Sequence, residues 1–164
     1  MNTGLILVDI QNDYFAGGRM ALVGMEEAAE NASQLLAYFR DNQKPTFHIQ
    51  HISTREGATF FLPNTQGVEI HVSVKPELDD PVIRKHYPNS FRETVLLDAL
   101  ERAGVDNVVI CGAMSHMCID ATTGQPPIWD FNAPSSMMPA QPATLILDPR
   151  KYWLKTYMRP LWPL

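Results

Sequence analysis

Cysteine is scarce in this sequence. Of 164 residues only Cys111 and Cys118 are cysteines, too few for a disulfide framework and in keeping with a reducing compartment. Basic charge is also short: 13 lysines and arginines against 18 acidic residues leave a net charge of -5, so no basic surface advertises a nucleic-acid or anionic-membrane partner. No apolar run approaches the roughly 18 residues of a membrane span, and no basic segment leads into an apolar stretch at the N-terminus, which reads as a cytoplasmic chain without a signal peptide. No G-x-G-x-x-G pattern surrounds Gly17-Gly18, which disfavours a nucleotide-binding domain. What remains is 45% hydrophobic and 19% charged, the composition of one globular domain with a real core.

Gly4-Leu5-Ile6-Leu7-Val8 is a continuous apolar run ending at Asp9, suited to a strand buried on both faces of a parallel sheet. From Glu26 to Asn42, the residues Ala28, Ala32, Leu35, Leu36 and Phe39 fall at helical spacing. Thr46 to Ile52 alternates like a strand. Ser53 to Pro81 reads as an excursion of loops and short elements near the site, and Val82 to Lys85 as a short strand. Phe91 to Ala103 predicts a helix with Gly104 as its C-cap, and Asn107 to Gly112 another apolar strand. Cys118 to Thr123 would open the next helix. The alternation predicts an α/β three-layer sandwich around a mostly parallel sheet.

In such sheets ligands sit at the carboxyl ends of the strands. Asp9 ends the first strand, Lys85 ends the short one and Cys118 follows the loop after the last, so the topology would bring them to one edge. A nearby ammonium and a helix N-terminus lower a thiol pKa, and backbone groups around Gly112, Ala113 and Met114 could aim N–H donors at an oxyanion. Each residue has a plainer reading by itself: a turn-forming aspartate, a solvated lysine, a small buried cysteine. His48 and His51, three apart on a strand, point to opposite faces, which is poor geometry for sharing one metal ion. His71, His86 and His116 read as structural or pocket-lining.

The surrounding text is more specific. Val8-Asp9-Ile10-Gln11-Asn12-Asp13-Tyr14-Phe15 with Gly17-Gly18, then Lys85-His86-Tyr87-Pro88-Asn89-Ser90-Phe91 with Thr94 and Leu97, then Val109 to Ile119 with Thr122 and Thr123, fall in order over the first 123 residues. Together they resemble the isochorismatase-like cysteine hydrolases, relatives of nicotinamidase and N-carbamoylsarcosine amidohydrolase. The resemblance implies a catalytic Asp9–Lys85–Cys118 triad and hydrolysis of a small-molecule amide or related C–N bond through a thioester, without a cofactor. It also implies a cis peptide between Ala113 and Met114, oxyanion donors at the Met114 and Cys118 N–H groups, and a homo-oligomer, dimer or tetramer. Tyr14 and Phe91 are candidates for the substrate pocket wall, or plain core. Nicotinamidases of the family hold a metal through an aspartate and two histidines in the excursion; that pattern is missing here, so no metal is expected. The isochorismatase branch typically lacks the cysteine, so Cys118 favours the amidase side.

Beyond Thr123 the resemblance stops. Residues 124–164 hold eight of the 13 prolines, all three tryptophans and no glutamate, and only Thr144 to Leu147 resembles a strand. Back-translating Gly124 to Leu145 and restoring one nucleotide before it permits RAASNLGFQCTVIHDACATRDL, a helix, a strand and the family's Asp-Ala ending. Two readings therefore stand for this tail: the product of a one-nucleotide deletion, or a genuine divergent segment packed on the sheet or on a partner subunit. The altered tail also leaves open a catalytically inactive or binding-only protein.

Overall fold

The computed structural model describes residues 2–124 and, as backbone strands, residues 143–147 and 155–156. Nine strands and α-helices are described. They run β1 (Thr3–Val8), α1 (Met25–Asp41), β2 (Thr46–His51), β3 (Val82–Lys85), α2 (Leu96–Arg102), β4 (Asn107–Gly112), α3 (Asp120–Gly124), β5 (Ala143–Leu147) and β6 (Lys155–Thr156). The sheet order is β3-β2-β1-β4-β5-β6. The first four strands in that order pair in parallel, and β5 returns antiparallel to β4, with β6 antiparallel to β5. This is the mostly parallel α/β architecture expected from the alternation of strands and helices.

Period-two alternation in the central strand decides which helix covers which face. Leu5 and Leu7 pack with Val109 and Cys111 against the α1 stripe of Met25, Ala29, Ala32, Leu36 and Phe39. Ile6 and Val8 pack with Phe47, Ile49, Ile83 and Ile110 against Leu96 and Leu100 of α2. Because both faces are covered, Leu5 to Val8 carry no polar side chain. Helix α1 starts one residue before the expected Glu26, and Ala28 and Leu35 lie at the margin of its buried stripe.

Helix α2 begins later than the sequence suggests, at Leu96 rather than Phe91. Residues 91–95 are diverted by local side-chain bonds: Thr94 Oγ1 donates to the Ser90 carbonyl at 2.6 Å, and Glu93 takes a φ of 55°. Gly104 does close the helix, with a φ of 62° and its N–H on the Glu101 carbonyl at 2.9 Å. The readings made for residues 124–164 lie outside the described residues, apart from Gly124 in α3 and the strands β5 and β6. Among the described residues no helix is long and apolar enough to cross a membrane.

Candidate active site

The parallel strands deliver four polar side chains to one edge. Asp9 follows β1 directly, turning the chain with a φ of 55° while its N–H still reaches the Ile49 carbonyl at 3.1 Å. Lys85 ends β3 and His51 ends β2. Cys118 follows β4 inside a single π-helical turn, Ser115–Ile119, that runs into α3. It therefore sits within the turn that precedes the α-helix rather than opening that helix. Gly112 makes this approach possible: its φ is 137°, and a Cβ there would stand 1.9 Å from the Val8 carbonyl oxygen. No other residue fits where β4 leaves β1.

Asp9 and Lys85 are both 0% exposed and Cys118 is 3% exposed. Lys85 Nζ lies 2.9 Å from Asp9 Oδ2 and donates to the Pro88 carbonyl at 2.8 Å. His51 Nδ1 is 3.6 Å from the same Asp9 oxygen and 3.8 Å from Cys118 Sγ. A buried ammonium and carboxylate are tolerable only together, because either alone is an uncompensated charge in a poor solvent.

Burial pushes the Asp9 pKa upward, but the Lys85 charge, then His51 and Cys118, pull harder, and the carboxyl is held below its ordinary range. The Cys118 thiol goes the other way: burial and the Asp9 charge raise it, with Lys85 opposing. The thiol-lowering expected from a neighbouring ammonium is thus overruled by desolvation and by the carboxylate the ammonium already serves. At rest these shifts favour a protonated thiol beside an ionised Asp9 carboxylate. Tyr14 is also pushed up, by burial and then by Asp9, Cys118 and Asp13, and stays a neutral phenol.

Neighbouring groups fix the edge in place. Gln11, wholly buried, donates from Nε2 to the carbonyls of His51 at 2.9 Å and Val68 at 2.7 Å, and its Oε1 accepts the His51 N–H at 2.7 Å. It thereby ties the exit of β1 to the end of β2 and to the excursion. The Asp13 carboxylate accepts the Phe61 N–H at 2.6 Å and the Arg19 N–H at 3.1 Å. Behind Lys85, the Ser90 and Thr122 hydroxyls meet at 2.8 Å, linking the loop after β3 to α3.

Of the residues singled out from sequence, Asp9, Lys85 and Cys118 lie together. The Ala113–Met114 peptide is cis, and Met114 is buried at the start of the turn carrying Cys118. Tyr14 is buried against Phe61 and Phe60, with ring centroids 4.6 and 6.0 Å away. Phe91 is partly buried against the cluster of Ile6, Val8, Leu96 and Cys118, on the sheet face away from Tyr14. The histidines divide as their spacing requires. His48 faces Asp80, with Nε2 at 3.4 Å, while His51 faces the site. His71 stacks on Phe15 at 3.6 Å, and His86 Nδ1 lies 2.9 Å from the Ile52 carbonyl oxygen. His51 is the site residue that sequence reasoning missed; its signal was the strand end it shares with Asp9 and Lys85.

Comparison with known proteins places these features in context. The isochorismatase domain family model matches residues 3–125. YddQ, an isochorismatase-family protein of Bacillus subtilis, is 56% identical over 122 residues, covering 74% of this chain and 68% of its own length. A solved structure of an isochorismatase hydrolase from Oleispira antarctica superposes with a TM-score of 0.71 at 47% identity, covering 74% of this chain and 66% of that one. Streptothricin hydrolase of Streptomyces noursei is 31% identical over 118 residues, covering 72% of this chain and 46% of its own. The matched part thus spans about two thirds of the first two proteins and under half of the third.

Proposed function

The chain belongs to the isochorismatase family, whose members are hydrolases, and on that premise we propose that it cleaves a small-molecule amide or related C–N bond through a thioester on Cys118. The observation that carries the reading is the buried convergence of Asp9, Lys85 and Cys118 at one sheet edge, with Lys85 Nζ 2.9 Å from Asp9 Oδ2; the Lys85 charge lowers the Asp9 pKa while burial raises that of the thiol. Sγ attacks the carbonyl carbon as its proton passes to Asp9, so no free thiolate is needed at rest. The N–H groups of Met114 and Cys118 receive the developing oxyanion. Collapse breaks the C–N bond, and the departing nitrogen takes the proton from Asp9. Water then attacks the thioester, giving its proton to Asp9, which returns it to Sγ as the acid product leaves. Lys85 holds Asp9 in place throughout and favours its return to the charged form after each proton is passed on. Tyr14 walls the substrate space, and Phe91 supports it from the opposite face.

The test is a screen of small amides and ureido compounds for released ammonia or amine, with intact-mass detection of an acyl adduct. Turnover and adduct are expected in the parent and neither in Cys118→Ser. Turnover that survives Cys118→Ser overturns the reading, and so does the absence of both turnover and acyl adduct in the parent; the latter result favours a binding-only protein.

We also propose that residues 1–123 are the hydrolase core and that the tail arises from a shifted reading frame. The family match ending at residue 125 supports this, as does the restored string quoted above. Sequencing the DNA around the Thr123 codon decides it; an unambiguous frame there sinks the idea.

A further inference from the structure

The same strand ends place three donors of different chemistry around one point. Asp9 offers a carboxylate oxygen, His51 its Nδ1 and Cys118 its Sγ, all within 4.8 Å of one another. Two separations are 3.6 Å for Asp9 to His51 and 3.8 Å for His51 to Cys118. A tetrahedral zinc ion with bonds of about 2.0–2.3 Å holds its ligands roughly 3.3–3.8 Å apart, and these two edges have that length. We propose that Asp9, His51 and Cys118 form a zinc-binding site, in which the ion takes the place of the thiol proton and silences the thiol.

The donor set selects the ion. One oxygen, one imidazole nitrogen and one sulfur suit a borderline cation such as Zn2+, whereas Mg2+ and Ca2+ require oxygen ligands. Three protein ligands leave the fourth position to water. Gln11 prepares the middle ligand by bonding both the N–H and the carbonyl of His51. The Asp9 oxygen that makes the 3.6 Å edge is Oδ2, which also faces Lys85 at 2.9 Å, so the ion and the ammonium share it, and Oδ1 is buried without a hydrogen-bond partner among the described residues. The Lys85 ammonium opposes a second cation and limits the affinity. Binding forms the S–Zn bond and breaks the S–H bond, so one proton leaves to solvent for each ion bound. The block on turnover rests on the proposed hydrolase function; the binding does not.

The experiment titrates Co2+ into the chelator-stripped full chain under a phosphine reductant, with Zn2+ as competitor. One equivalent of Co2+ is expected to give a thiolate charge-transfer band and tetrahedral ligand-field bands, abolished by one equivalent of Zn2+. Cys118→Ser loses the charge-transfer band and Cys111→Ala keeps it. His51→Asn weakens binding by more than the roughly 10–100-fold that loss of an outer contact costs. Lys85→Met, if folded by circular dichroism, tightens it. No band in the parent, a band that follows Cys111, or an unchanged affinity in His51→Asn overturns the site. Because the readout is spectroscopic, uptake without turnover leaves the zinc site standing and removes the hydrolase reading. Turnover without uptake does the reverse.

Discussion

Gln11→Ala tests the claim that one buried amide holds the site edge together. The side chain makes three bonds, two to His51 and one to Val68. The Val68 carbonyl keeps a second donor, Gln50 Nε2 at 3.0 Å, so truncation orphans only the N–H and C=O of His51. An orphaned buried polar group costs about 1–3 kcal/mol, and admitted water recovers part of that. The expected loss is about 3 kcal/mol, against a total stability of roughly 5–15 kcal/mol. At about 2–4 °C per kcal/mol for a chain of this size, Tm falls by roughly 10 °C. Gln11→Glu sharpens the test. It keeps the acceptor for the His51 N–H but sets a carboxylate oxygen against two carbonyls, so at neutral pH it is less stable than Gln11→Ala. It recovers on acidification, as the carboxyl regains a proton to donate. Urea unfolding followed by circular dichroism measures both, and hydrogen exchange at the His51 amide shows whether the loss is local. A Gln11→Ala protein within about 1 kcal/mol of the parent, or a Gln11→Glu protein as stable as the parent at neutral pH, refutes the reasoning.

Lys85→Ala leaves the Asp9 carboxylate buried and unpaired; activity is expected to vanish and stability to fall by about 3–5 kcal/mol. In the double variant Lys85→Met/Asp9→Leu, most of the stability returns but none of the activity, as denaturation and amide turnover report. Stability also depends on pH through the cluster opposite the site, where Arg40 pairs with Asp80 and Asp80 with His48. Burial lowers the His48 pKa against the pull of Asp80. Asp80 is lowered as well: burial raises it, but bonds from the Glu77 N–H, Arg40 and Thr46 prevail. With both native values depressed, the unfolded state takes up protons first. Stability is therefore full above about pH 6.5 and falls as His48 begins to charge in the unfolded chain, then falls further below about pH 4 as Asp80 is protonated. Tm measured against pH should drop from neutral to pH 5, and His48→Gln should flatten that first step. A parent Tm that rises over the same interval contradicts the assignment.

The parts of the fold that were legible in the sequence are those written in apolar periodicity. Leu5 to Val8, Asn107 to Gly112 and the α1 stripe are each read from one local pattern, because burial on two faces or one leaves different spacings. Residues 91–95 read as helix because Leu96, Leu97 and Leu100 set a helical period that no proline or glycine interrupts. The interruption comes from Thr94 bonding back to Ser90 and from Ser90 being anchored on Thr122, a partner 32 residues away. Asp9 and Lys85 could be chosen because each ends a strand and Cys118 because it follows the loop after one, with the surrounding motifs joining the three. His51 stands at a strand end too, but its spacing from His48 speaks only to a shared metal ion and not to its other neighbours. Strand alternation says which face a side chain takes, not what lies across that face. The direction of the Cys118 shift was likewise beyond local reading, since it depends on how completely the turn after β4 is buried.

The four converging side chains come from β1, β2, β3 and the turn after β4, and this makes the thiol's surroundings a report on sheet assembly. In β2 the odd and even residues face opposite helices, so pairing β2 one residue out of register with β1 would turn His51 away and present Gln50 instead. A chain emerging from its N-terminus lays down carboxylate, imidazole and ammonium before the sulfur exists. A partly built sheet thus carries an ordinary cysteine with neither a proton acceptor nor a charge partner. Among the described strands β4 is the last parallel one, and Cys118 follows it, so the sulfur meets its partners only once β4 lies in register beside β1.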